Sequence, residues 1–246
     1  QKWQGAEAAE VLTFLQDKLA LPAKTNSWEN EATLKISFAE TLGGRLPVIT
    51  VESHHDFCLL EAILNGRQTL LDLPQTVNAF TLRAKAAEIL DQRIILLNRA
   101  PYSNISASLL GLQEDEWLHK SQLIRLAHEC THYETLRLLG GMRNHPLDEI
   151  AADAMGQIAA FGDFSAERQR LFFGLQKGKD ICTGRLSFYT KKLRPQEQAK
   201  VYSAVDRVLD DVAAEIAAWF KNKGQRVELL FSLTGKSIAS RLQGEI

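Results

Sequence analysis

The chain has 246 residues, 45% hydrophobic and 24% charged, with 29 basic against 30 acidic side chains and a formal charge of −1. This is the balance of a globular chain with room for a sizeable core, and it excludes a disordered or collagen-like protein. No basic surplus points to nucleic acid, and no run approaches the ~18 uninterrupted apolar residues of a membrane span. Three cysteines, Cys58, Cys130 and Cys182, are too few and too odd in number for a disulfide framework.

In chain order, Gln1-Lys2-Trp3-Gln4 carries no secretory pattern, so a cytoplasmic location is expected. Val11, Phe14, Leu15 and Leu19 recur at helical spacing over Ala6 to Ala20, before Pro22. Thr33 to Phe38 and Pro47 to Val51 are rich in β-branched and aromatic residues, and Gly43-Gly44 lies between them; this predicts a β-hairpin. From residue 57 helical patterns dominate. A short helix is predicted over Phe57 to Leu64 and a longer one over Asn78 to Leu97, ending before Pro101.

Glu114 to Leu139 reads as a long helix with two apolar stripes, hence buried on more than one side, and Gly140-Gly141 stop it. Pro146 suits the first turn of a helix over roughly 146–161, with Asp148 and Glu149 near its positive end. Pro195 opens a last long helix, with Val201, Val205, Val208, Val212, Ile216 and Trp219 on one core face. The expected architecture is a predominantly helical α+β fold with a small antiparallel sheet near the N-terminus. An α/β lobe over 1–112 and a helical lobe over 113–246 pack as one compact domain.

The chemistry concentrates in His128-Glu129-Cys130-Thr131-His132, an H-E-x-x-H inside the long helix. Histidines four apart lie one above the other, so both imidazoles can meet one metal ion. Glu129 is turned about 100° away and can reach a water beside that ion. Random placement gives roughly 0.01 such matches in a chain of this composition. A catalytic zinc usually takes three protein ligands and leaves one position open. Glu149 on the next helix is the candidate third ligand if the two helices fold back antiparallel. His145, in the intervening turn, is its rival. Asp153, one turn beyond Glu149, can then accept a hydrogen bond from the second nitrogen of a ligating histidine.

These residues, H-E-x-x-H on one helix and E-x-x-x-D on a later one, resemble the gluzincin branch of zinc metallopeptidases. The resemblance covers the two site helices. It implies His128, His132 and Glu149 as ligands of one Zn²⁺ per chain, Glu129 as general base and Asp153 as the outer partner of His128. It also implies a hydrolase acting on a peptide or amide substrate, and a sheet edge beside the cleft that the hairpin at 33–51 could supply. The metzincin extension is absent, since Thr135 and Leu138 stand where it needs Gly and His.

Two other readings use the same residues. Glu129-x-x-His132 is also di-iron bundle spacing, but a second copy, Glu52-x-x-His55, falls at a strand end. Alternatively, a metal staples a non-enzymatic interaction module. His54-His55 is expected at a strand-end turn, His119 is peripheral and Cys130 packs. Tyr133, Arg185, Tyr189 and Tyr202 are candidate oxyanion donors.

Overall fold

The computed structural model describes residues 28–67, 69–83, 93–141 and 145–243; the side chains of Glu31 and His145 also lie outside the described set. The helix expected over Ala6 to Ala20 therefore falls outside the described residues. The fold is α+β and helix-dominated.

The hairpin forms as expected, with β1 (Lys35–Thr41) antiparallel to β2 (Gly44–Val51). Helix α1 (His54–Leu64) follows, starting three residues earlier than expected because the Ser53 hydroxyl caps the Asp56 amide.

The helix expected over Asn78 to Leu97 is not formed. In its place stand β3 (Ala79–Arg83) and β4 (Arg93–Asn98), antiparallel to each other, with 84–92 outside the described residues. The strand order is β1-β2-β4-β3, and β2 and β4 run parallel, so the sheet is mixed and extends beyond the hairpin. Strand β4 carries a helix-like apolar run because it is buried on both faces. Ile94 and Leu96 pack with Ile49, Val51 and Phe57, Leu60 and Leu64 of α1, whereas Ile95 and Leu97 pack with Val48 and Cys130 on the opposite face. A strand covered on both sides carries a continuous apolar run that a buried helix can also carry.

Helix α2 (Glu114–Leu139) runs through the middle of the molecule: Leu126, Cys130 and Tyr133 meet the sheet, while Ile124 lies against the next helix. Three acidic residues occupy its first turn, and Gly140, at φ 71°, ends it. Helix α3 (His145–Phe161) returns antiparallel. The pairing is legible in its contacts. Asp148 meets Thr135, Asp153 meets His128, Gly156 abuts Ile124, and Lys120 Nζ donates to the Ala160 carbonyl at 3.0 Å. A Cβ at Gly156 would lie 2.9 Å from the Ile124 carbonyl oxygen, so glycine sets the closeness of this crossing.

The remaining helices are α4 (Ala166–Phe173), α5 (Leu186–Thr190), α6 (Pro195–Lys221), α7 (Arg226–Gly235) and α8 (Ile238–Gln243). The apolar face of α6 packs as expected: Val205, Val208, Val212 and Ile216 are buried with Ile150, Ala154 and Met155 of α3. Glu134, buried near the end of α2, accepts from the Leu42 amide of the hairpin turn at 3.1 Å and from Arg226 of α7 at 3.0 Å.

Candidate metal centre and its cleft

The antiparallel return of α3 brings together three expected ligands. His128, His132 and Glu149 offer atoms that all lie within 4.8 Å of one another, and they are the one such cluster of His, Cys, Asp and Glu among the described residues. The two Nε2 atoms are 2.9 Å apart; Glu149 Oε2 is 3.6 Å from the first and Oε1 is 3.5 Å from the second. Donors at zinc bonding distance in a tetrahedron are separated by about 3.4 Å, so these spacings bracket what one ion needs.

The tautomers follow from the partners on the far side of each ring. His128 Nδ1 is 2.8 Å from Asp153 Oδ1, and His132 Nδ1 is 3.1 Å from Asp148 Oδ2. Carboxylates only accept, so both Nδ1 atoms carry hydrogen. In the neutral rings both Nε2 lone pairs then point at each other, an arrangement that calls for a cation between them. Without a metal a proton serves. Burial disfavours the charged His132, but its hydrogen bond to Asp148 and the charges of Glu149 and Glu129 prevail, and its pKa rises to about 9.

Asp153 stands behind His128, hydrogen-bonded to its Nδ1. Its carboxylate is fully buried: Oδ1 also accepts from the Tyr102 hydroxyl at 2.5 Å, and Oδ2 accepts from Gln169 at 2.5 Å and from Arg185. Burial alone would raise its pKa. The charge of Arg185 and the hydrogen bond from His128 hold it well below the usual carboxylate range. Arg185 also donates to the Tyr102 oxygen at 2.7 Å and stands 3.9 Å from Glu149.

Sequence reasoning missed Asp148 as the partner of His132, though its spacing from that ring across the helix pair could have found it. Tyr102 and Gln169 are too distant in sequence for any such signal.

Glu129 lines a cleft of about 510 Å³ together with His128, Glu149, Arg125, Arg185 and Tyr189. Thr81 of β3 donates to Glu129 Oε2 at 2.7 Å. The sheet edge beside the cleft is thus β3, with Val77, Asn78 and Ala79 in its wall, and not the hairpin. Of the candidate oxyanion donors, Arg185 and Tyr189 line the cleft; burial and the charge of Glu149 raise the Tyr189 hydroxyl well above its ordinary value. Tyr133 packs against Gly43 of the hairpin, and the Tyr202 hydroxyl pairs with Thr190 at 2.8 Å, so neither lines this cleft.

Arg125 is buried, with burial and the charge of Arg185 lowering its pKa to about 10. Cys130 is a buried free thiol, pushed up to about 12 by burial and then by Glu134, and it packs as expected. His119 is exposed. Glu52, His54 and His55 line a separate groove and do not join the cluster. The His145 side chain lies outside the described residues.

A family model described as a family of unknown function, DUF7005, matches residues 75–239. The chain belongs to the DUF7005 family. The matched span runs from just before β3 and contains Thr81, Tyr102, Glu129 and the whole His–Glu cluster, while β1, β2 and α1 precede it. No curated protein and no solved structure matches the chain. Among the described residues, no helix is long and apolar enough to cross a membrane.

Proposed function

We propose that this DUF7005 chain is a zinc-dependent hydrolase of peptide or other amide bonds, with His128, His132 and Glu149 holding one Zn²⁺. One observation carries the reading: two imidazole nitrogens 2.9 Å apart, each with its far nitrogen committed to a carboxylate, with Glu149 spanning both. The donor set of two imidazoles and a carboxylate suits zinc. When bound there, the ion supplies a Lewis acid that polarises a carbonyl and makes a water acidic near neutrality.

The chain's own residues supply the rest. Glu129 takes a proton from water in the cleft and returns it to the leaving nitrogen. Thr81 fixes the carboxylate that makes this transfer. Asp153 and Asp148 hold the imidazoles in the tautomer that leaves Nε2 free. Tyr189 stays protonated through the neutral range, and its hydroxyl, bonded to Glu149, can turn as a donor toward a developing oxyanion. Phe188, 56% exposed in the cleft wall, offers an apolar surface to a substrate side chain.

The open cleft beside Glu129 favours this reading over a metal that only staples an interaction module. The di-iron reading lacks a second motif on a facing helix: Glu52 and His55 lie in another groove, and Glu116-x-x-His119 shares α2 with the cluster and leaves its histidine exposed. The test is elemental analysis of the purified protein beside cleavage of a mixed peptide library. One zinc per chain is expected, lost in His128→Ala, while Glu129→Gln keeps the metal and abolishes cleavage. Two irons per chain, or loss of metal in Glu129→Gln, would overturn the assignment.

A further inference from the structure

Among the described residues, the buried arginines Arg170 and Arg241 and the half-buried Arg185 face carboxylates. Arg170 pairs with Asp206 at 2.6 Å, Arg241 with Asp211 at 2.6 Å and Glu215 at 2.7 Å, and Arg185 with Asp153. Arg125 is the exception. It is 4% exposed, and its two terminal nitrogens donate to the backbone carbonyls of Ala100 and Pro101, the latter at 2.7 Å. Among the described residues no carboxylate forms an ion pair with it. Desolvating a cation without a paired carboxylate is costly, and the two carbonyls, the Tyr102 ring 5.5 Å away and the more distant charge of Glu129 answer only part of the cost.

This cation lines the cleft. Arg125 sits three residues before His128 and four before Glu129 on α2, so it lies about one helical turn, 5.4 Å, from both. The segment it holds is itself unusual. Ser103 and Asn104 both adopt left-handed backbone, at φ 52° and 57°, and both line the same wall. The Ser103 hydroxyl is buried with no hydrogen-bond partner among the described residues. Arg125 and Ser103 thus line one cleft, the Ser103 hydroxyl orphaned just behind its surface, beside strained backbone of the kind that accumulates at ligand sites.

We infer that Arg125 receives a carboxylate of the substrate, so that the scissile amide lies within one or two residues of an acidic group. This rests on the hydrolase reading and adds a substrate class to it. The carboxylate can be a chain terminus or an acidic side chain.

The test uses three succinyl hydroxamates, which anchor on zinc: one coupled to phenylalanine, one to phenylalaninamide and one to the α-carboxamide of aspartate. Binding is measured on zinc-loaded and metal-free wild type and on zinc-loaded Arg125→Gln, with zinc content checked. On the wild type the free acid, the aspartyl probe or both are expected to bind at least about tenfold tighter than the phenylalaninamide, as a charge-assisted fork should give. The stronger of the two names the source of the carboxylate. The preference should fall to about one in Arg125→Gln. Zinc-dependent binding of all three probes with equal affinity on the wild type would overturn the inference and leave the hydrolase intact. A preference undiminished in Arg125→Gln would also overturn it. No zinc-dependent binding of any probe would overturn both.

Discussion

Replacing Asp153 with Asn tests the site where its parts interlock. The substitution keeps shape and exchanges one oxygen for an amide nitrogen, which cannot accept. Each oxygen of Asp153 receives two donors, so either orientation sets the amide against two of them: His128 Nδ1 and Tyr102, or Gln169 and Arg185. The favoured orientation keeps oxygen toward the guanidinium and turns the amide toward His128. The ring then does best with its proton on Nε2, where a metal would bind. Zinc affinity should fall 10- to 100-fold, the usual effect of losing an outer partner of a metal-bound histidine.

Separately, Arg185 loses its counter-charge in a buried site, which costs about 3–5 kcal/mol. Glu149 at 3.9 Å still offsets part of that, so the lower end, ~3 kcal/mol, is expected, and for a chain of this length each kcal/mol moves Tm by about 2–4 °C. In the double variant Asp153→Asn with Arg185→Met, removing the orphaned charge should restore most of the stability. The assays are thermal denaturation of the metal-free protein and zinc titration against a chromophoric chelator. Zinc affinity within twofold of wild type in a folded Asp153→Asn protein would refute the role given to Asp153.

Two further outcomes follow from the same geometry. In the metal-free protein the folded pKa of His132, about 9, lies above its unfolded value of 6.5, so its stabilisation is fully present below pH 6.5 and is lost as pH rises through 9. The loss is at most about 3 kcal/mol. Saturating zinc should reverse the trend by displacing that proton; urea denaturation from pH 6 to 10 with and without zinc checks both, and a flat metal-free profile would contradict the charged ring. Gly156→Ala should destabilise by about 1–3 kcal/mol through overpacking against the Ile124 backbone, read as a lower urea midpoint at unchanged m-value. A neutral substitution would mean that the two helices separate freely.

Elements whose signals are local could be read from sequence. The hairpin, both site helices with their glycine stop, and the apolar face of α6 each rest on periodicity or a cap within one segment. So does the pairing of His128 with Asp153, once the helices are folded antiparallel. What escaped is governed by distant partners. Ile94 to Leu97 read as a helix because both faces of β4 are covered, and only the sheet's neighbours reveal its period of two. Thr81 lies in a segment whose pattern reads as helix, which hides its bond to Glu129. The Tyr102–Asp153–Gln169–Arg185 network draws on four separate segments of the chain and has no linear signature.

The buried carboxylate of Glu134 has a consequence for the molecule's cooperativity. It clasps the turn between β1 and β2 with one oxygen and the first residue of α7 with the other, so both extremities of the described chain converge on a single beam. Severing the backbone between residues 112 and 113 would leave neither fragment self-sufficient. The C-terminal fragment would keep the anion without the hairpin amide, and the N-terminal fragment would bare the sheet face that covers Cys130. The two halves should therefore melt as one unit.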